Sequence, residues 1–376
     1  MTHRRALHSS QAASLVTAAL MALLLLASGA ASGEPYLAVR TGAKCVACHV
    51  NPTGGGKRNE FGNAYSQTML ARERLTFGTT PEPALWSGKL NEFFAVGADL
   101  RATARGGSEP NSTDTYEFSQ TRAQAYLEFK PLGDRLSIYL DERLAPGSAT
   151  NRETYALLWF ADQSVYVKAG RMFVPFGLRI EDDSAFIRQF SGVNFSSSDD
   201  GVEVGLELGP WSANLSVTNG AGGAAETNRS KMISALATFV QPIWRVGISA
   251  STNDSGTAER RMQSVFAGLR TGFVAWLASA VYITDEAPPS ARLTHWASLV
   301  EANIEAAKGH NIKLTYEYYD PNRDVREDQR ARYSIVWEFV PFQFTQFRLG
   351  ARKNDGIPQN SAQNASEVFL QWHAFF

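Results

Sequence analysis

Short and long breaks alternate along the last three-quarters of this chain, and no other feature restricts its fold so tightly. From Trp86 onward, segments of about ten residues alternate apolar and polar side chains between clusters of turn-forming residues. Short breaks fall at 131–134, 161–164, 209–210, 241–243, 271–272, 308–310 and 340–343. Longer polar stretches fall at 105–114, 145–152, 173–199, 219–229, 253–259, 285–292, 320–329 and 354–364. Seven short and eight long connections imply sixteen strands, an even number with both ends on one side. A soluble β-sandwich also alternates, but it does not sort its connections by length. Short turns on one rim facing long loops on the other are the pattern of an all-β, antiparallel transmembrane barrel. At sixteen strands the lumen is wide enough for an aqueous channel.

Individual strands fit this reading. Thr121, Ala123, Ala125, Leu127 and Phe129 form a face suited to lipid, against Gln120, Arg122, Gln124, Tyr126 and Glu128 on a watery one. Val202, Val204, Leu206 and Leu208 repeat the pattern, as do Trp211, Ala213, Leu215 and Val217. Val368, Leu370, Trp372, Ala374 and Phe376 alternate outward in the last strand, and the chain stops on an aromatic. Asp99, Arg101, Arg122, Glu128, Asp141 and Arg143 are expected to form a hydrated charge lattice in the lumen. The stretch 173–199 exceeds every other connection and occupies the place of a loop that folds into the lumen. Its Glu181, Asp182 and Asp183, with Asp199 and Asp200, are read as a solvated acidic loop, or alternatively as a guide for metal cations.

The N-terminus reads as a signal peptide over residues 1–32. Arg4 and Arg5 precede a twelve-residue apolar run from Leu15 to Leu26, too short for a membrane-spanning helix, and small residues follow. No later run reaches the 18 apolar residues or so of a helical span. The chain is therefore expected to be exported to the outer membrane. A net charge of −1 gives no reason to expect a nucleic-acid partner.

Between signal and barrel, residues 33–85 hold the chain's only two cysteines, in Cys45-Val46-Ala47-Cys48-His49. C-x-x-C-H is the attachment pattern of c-type haem: two thiols bond the vinyl groups and the imidazole ligates the iron. A redox dithiol would leave His49 without a role and lacks a surrounding βαβ pattern. Structural zinc would want four ligands where three stand locally. One covalent haem c, held by Cys45, Cys48 and His49, is the expected cofactor. Phe61, Tyr65, Thr68, Met69 and Arg72 recur at helical spacing, so one short helix over 59–75 is expected to lie on the haem face. Met69 is a candidate second ligand to the haem iron, where a thioether would raise the potential. Its other reading is packing on the haem edge. Lys57, His295, His310, His373 and an open position are the alternatives. A segment this small lacks a core of its own, so the haem would provide much of the buried surface.

A signal peptide, one haem motif and a sixteen-strand porin pattern together resemble the fused cytochrome–porins of the bacterial outer membrane, whose best-known members are iron oxidases. In sequence the resemblance is concentrated in Arg40-Thr41-Gly42, Cys45-x-x-Cys48-His49, Pro52 and Phe61-Gly62. Iron-oxidising members have a less glycine-rich linker after the histidine and a basic residue after Phe-Gly. Gly54-Gly55-Gly56 and Asn63 stand at those places here, a departure that bears on iron as substrate. The resemblance implies an electron conduit between an extracellular donor or acceptor, iron among them, and a periplasmic cytochrome or other electron carrier. The haem segment would sit in the periplasm or plug the lumen. The alternative is a diffusion porin whose haem segment plugs or docks. A catalytic haem enzyme such as a peroxidase is a third class, and would need an open iron position. Lipid contact is expected for the barrel, and a homotrimer is one expected assembly.

Overall fold

The structure is a computed structural model and describes residues 34–76, 85–194, 197–290 and 292–376. The signal peptide lies outside the described residues, as does part of the expected linker to the barrel. Seventeen strands follow the N-terminal segment, and sixteen of them close into one antiparallel barrel. They begin with β1 (Phe94–Ser108) and β2 (Thr115–Phe129) and end with β16 (Thr345–Asp355) and β17 (Ser366–Phe375). Closure is made where β1 pairs β17, from Asp99 opposite Phe375 to Ser108 opposite Ser366. Only the four-residue β3 (Pro131–Asp134) stays outside the ring, at a short turn. The expected strand count, alternating connections and most of the lipid-facing residues are present. Val202, Val204, Leu206, Leu208, Leu215, Val217, Val368 and Leu370 all point out.

Four expectations need correction. A register shift between Arg101 and Ala102 turns Gln120 outward, opposite Ala102, and Thr121 inward, where its hydroxyl meets that of Thr103 at 3.1 Å, so neither face of β2 is continuous. The expected lumen charge lattice is largely buried, with only Arg122 and Arg143 of its six members partly exposed. Asp99, Arg101, Glu128 and Asp141 are all buried and paired. Ala374 is outward by register but covered rather than exposed, and the terminal ring of Phe376 packs edge-on against Trp86 at 5.8 Å. The largest difference is in the lumen. Strands β11 (Glu259–Thr271), β12 (Val274–Glu286) and β13 (Leu293–Ala307) carry apolar residues inward as well as outward. Met262, Phe266, Leu277, Ile283 and Leu299 form one buried cluster with residues of the N-terminal segment and of the long loop. This barrel has a packed core, in keeping with the plugged lumen and not with an aqueous channel or a periplasmic haem segment.

Backbones approach closely where glycine faces a large ring. On β7 (Ser198–Leu208), a Cβ at Gly205 would lie 2.1–2.5 Å from atoms of the Tyr166 ring. That ring is fully buried, and its hydroxyl donates to Glu203 Oε1 at 2.6 Å. Gly205→Ala is therefore expected to destabilise the barrel by about 1–3 kcal/mol through overpacking. The check is a lower temperature for converting the compact, detergent-resistant band to the unfolded one.

Candidate haem site

The N-terminal segment lies inside the barrel at the rim of short turns. Helix α1 (Pro35–Thr41) starts with a proline at its first turn, where a missing N–H costs nothing. Its Val39 and Tyr36 pack on the apolar wall, and the Tyr36 hydroxyl donates to Glu338 Oε2 at 2.9 Å. Lys44 Nζ bonds Glu207 at 3.1 Å and the Trp211 carbonyl at 2.6 Å. Arg270 donates to the Arg40 carbonyl at 2.8 Å. Further along, Arg72 N donates to the Val340 carbonyl at 2.8 Å and Leu75 N to Gln343 Oε1 at 2.9 Å. Wall strands on opposite sides of the ring thus hold one plug.

Cys45 opens a single 3₁₀ turn, Cys45–Ala47, and His49 follows it, paired with Arg58 across a tight loop. Gly54, Gly55 and Gly56 close that loop with φ of +87°, +85° and +63°, a region that side chains disfavour. A Cβ on Gly56 would meet the Tyr139 hydroxyl at 2.3 Å, and one on Gly54 would crowd Cys45 Sγ at 3.3 Å. The glycine run that departs from the iron-oxidising pattern is thus required by the fit of the loop between Cys45 and the wall. Asn63 has a reason too: it is buried, and its Nδ2 donates to the Ser87 carbonyl at 2.8 Å.

Two asparagines that sequence reasoning passed over hold the loop. Asn59 caps α2 (Glu60–Tyr65) by accepting from Gly62 N at 2.9 Å. Its Nδ2 donates to the Val46 and Ala47 carbonyls, both at 3.1 Å, and its backbone N donates to the Cys48 carbonyl at 3.0 Å. Asn followed by Glu is a helix-start signal that would have identified it. Asn51 is fully buried and donates to Glu153 Oε1 at 2.9 Å, while its Oδ1 accepts from Lys168 Nζ at 3.4 Å. Lys57 pairs with Glu128 at 3.2 Å.

Cys45, Cys48 and His49 line one cavity, whose atom-free space is about 1230 Å³, part of it open to solvent. Leu37, Pro52, Tyr65 and Leu70 of the plug, Phe266 of the wall, and Phe176 and Leu178 of the long loop supply apolar surface. Lys44, Arg58, Arg179 and Arg245 supply cations. Burial, assisted by the Arg58 charge, lowers the His49 imidazole to about 4, against a smaller upward pull from the Gly55 and Gly56 backbone. The ring is therefore neutral at ordinary pH, as an iron ligand must be. Its Nδ1 is buried with no partner of hydrogen-bond geometry. Both cysteines are free thiols, raised in pKa chiefly by burial, with Arg245 opposing at Cys45 and Arg58 at Cys48. Two thiols, an imidazole whose Nδ1 is orphaned, apolar walls and cations for carboxylates fit a covalent haem.

The expected second ligand is not brought to this cavity. Helix α2 ends at Tyr65 and runs into a π-turn, Ser66–Leu70, short of the expected 59–75. The wider turn rotates the following side chains. Tyr65 and Leu70 face the cavity, while Met69 is 60 % exposed outside it. Lys57 is engaged by Glu128 and the Arg58 carbonyl, His295 by Tyr319 and Asp285, His310 by Trp337, and His373 by Gln346 and Asp99. None of these four lines the cavity.

The long loop 173–199 closes the cavity from the other side. Arg179 donates to Thr53 Oγ1 at 3.1 Å and to the Gly54 carbonyl at 2.9 Å, joining loop to plug. The acidic residues are all paired rather than free, although the Asp183 and Asp200 side chains stay 40 % and 43 % exposed. Glu181 pairs with Arg101 and Arg348, Asp182 with Arg352, and Asp183 with Arg122 and Arg188. Asp200 is held by Arg171 at 2.9 Å, and Asp199 accepts from Gly220 N and Gly223 N.

Gly62 is the contact on which the motif's backbone rests. A Cβ there would stand 2.2 Å from the Cys48 carbonyl oxygen, backbone against backbone. Gly62→Ala is expected to displace Cys48 and cut covalent haem per barrel severalfold, with the barrel's heat-modifiable folding unchanged. Haem stain normalised to folded protein reads both.

No protein-family model and no curated protein matches the chain. Solved structures do. An anion-selective porin from Comamonas acidovorans aligns with 9% identity over 75% of this chain and 99% of that one, TM-score 0.59. OmpT of Vibrio cholerae in its trimer form aligns with 11% identity over 76% and 100%, TM-score 0.57. The outer-membrane channel DcaP of Acinetobacter baumannii aligns with 14% identity over 75% and 97%, TM-score 0.55. At such identities the likeness shows the fold: a sixteen-strand barrel of the outer-membrane porin kind.

Proposed function

We propose that the chain is an electron conduit of the bacterial outer membrane, a porin-fold barrel whose lumen is closed by a plug that carries one covalent haem c. The observation that carries this reading is the shared cavity: Cys45, Cys48 and His49 open onto space walled jointly by plug, barrel and long loop. When bound, the haem supplies a one-electron couple between an extracellular donor or acceptor and a periplasmic carrier. The chain's own residues hold and shield it. Cys45 and Cys48 attach it, His49 supplies the axial nitrogen, and Arg58 and Arg179 offer cations to its carboxylates. The apolar wall lowers the local dielectric. Fe(II) is the extracellular donor favoured by the family resemblance. Haem-loaded barrels in vesicles enclosing ferric cytochrome c are expected to reduce it when Fe(II) is added outside. No reduction across a broad pH range would remove the iron version, and no response to any membrane-impermeant donor or acceptor would remove the conduit.

A second reading, a diffusion channel with a haem-bearing plug or docking segment, is favoured by the porin fold itself. It is the reading that the solved neighbours support, since an anion-selective porin and an outer-membrane channel are among them. It requires conductance and solute uptake that persist in Cys48→Ala. A homotrimer, as in the trimer form of OmpT, suits either reading.

A further inference from the structure

We infer that the outer wall of the barrel carries a seat for one anionic acylated lipid, with Lys353 at its head. The inference needs only the barrel in a bilayer and is independent of any haem. On the lipid side of β12 to β16, a groove with about 1050 Å³ of atom-free space, much of it open, breaks the surface. Strand register explains its shape. One row across the sheet reads Trp276, Ala302, Leu314, Ile335, Ala351. Ala302 and Ala351 are the low points of this row, with Leu314 and Ile335 between them, and the trough runs along it. The adjacent row, towards the long-loop rim, reads Val300, Tyr316, Tyr333, Lys353. Bulk therefore rises on that side of the trough and ends in a cation.

Lys353 is the unusual member. It lies two residues from the long-loop end of β16 and is exposed, while its neighbour Arg352 turns inward to Asp182. Among the described residues, its ammonium has no hydrogen-bond or ion-pair partner. Asp355, two residues on and exposed on the same face, is not within ion-pair distance. The Tyr316 and Tyr333 rings stand 5.2 Å apart beside it, and neither hydroxyl has a partner among the described residues. A lysine facing hydrocarbon is costly unless its head reaches polar groups. A phosphate at the membrane boundary satisfies it, with the two hydroxyls as further donors, and the acyl chain then follows the trough over Ala351 and Ala302. A second copy of this chain would be the competing occupant, but it would leave the ammonium desolvated without an anion.

The test is native mass spectrometry of the full chain released from detergent, titrated with dioleoyl phosphatidylglycerol or dioleoyl phosphatidylcholine. One phosphatidylglycerol is expected to persist on the barrel. Lys353→Ala should weaken it by about tenfold, the loss of one charge-assisted contact set. Ala302→Phe, which fills the trough at an outward-facing position covered by its neighbours, should weaken both lipids, and band mobility verifies folding of each variant. Equal retention of the two lipids, or unchanged phosphatidylglycerol binding in Lys353→Ala, overturns the inference. So does an oligomer that Ala302→Phe dissociates while lipid retention stays the same.

Discussion

Replacing both cysteines, Cys45→Ala with Cys48→Ala, is expected to reduce haem staining of the outer-membrane band to background while the barrel still assembles. The two halves of that result have separate causes. Covalent attachment needs a thiol for each vinyl group, and these are the only two thiols in the chain. Assembly rests elsewhere. The plug is held to the wall by Lys57 with Glu128, Asn51 with Glu153, and Lys313 with Glu34, none of which involves sulfur. Lost folding together with lost haem would mean that the plug's packing depends on the cofactor, as the small size of the segment allows. Haem staining that survives in the double variant would end the case for C-x-x-C-H as the attachment site.

The barrel was legible because its signals are local. A two-residue pleat and turn-forming residues are written in neighbouring positions, and the longest connection announced the loop that enters the lumen. A plug was one of two placements the sequence offered, but the apolar inner wall it packs on was not legible. On β11 to β13 both faces are apolar, which erases the alternation that separates lipid from water, and only the plug and loop explain the inner face. Asn51 and Asn59 show a second limit. A buried asparagine is recognised by its partners, and Glu153 is 102 residues away from Asn51. Met69 shows a third, because helical spacing carries a side chain to the wrong side once the helix widens into a π-turn. The haem motif itself was read at once, since its five residues are contiguous. The cavity they open onto required the fold.

Deleting residues 34–75 is expected to turn an electrically quiet barrel into a conducting one. The plug crosses the lumen at the short-turn rim, and its removal strips the cover from Glu128, Glu153, Glu207, Lys168 and Lys313, whose charges then face water. Hydration of those groups favours a water-filled passage over collapse of the wall. The long loop remains and limits the opening. Its acidic residues stay clamped by Arg101, Arg122, Arg348 and Arg352, so the passage runs beside it and is narrower than a sixteen-strand lumen allows. Mean single-channel conductance in planar bilayers should rise on the order of tenfold, as expected when a plugged barrel is opened. Intact protein that conducts as well as the deletion variant would show that solutes already pass the plug, and the diffusion reading would then displace the conduit. If neither form conducts, the loop alone seals the barrel. The neutralising set Glu181→Gln, Asp182→Asn and Asp183→Asn, made in the deletion background, should then release it, because each clamp loses the charge that holds it.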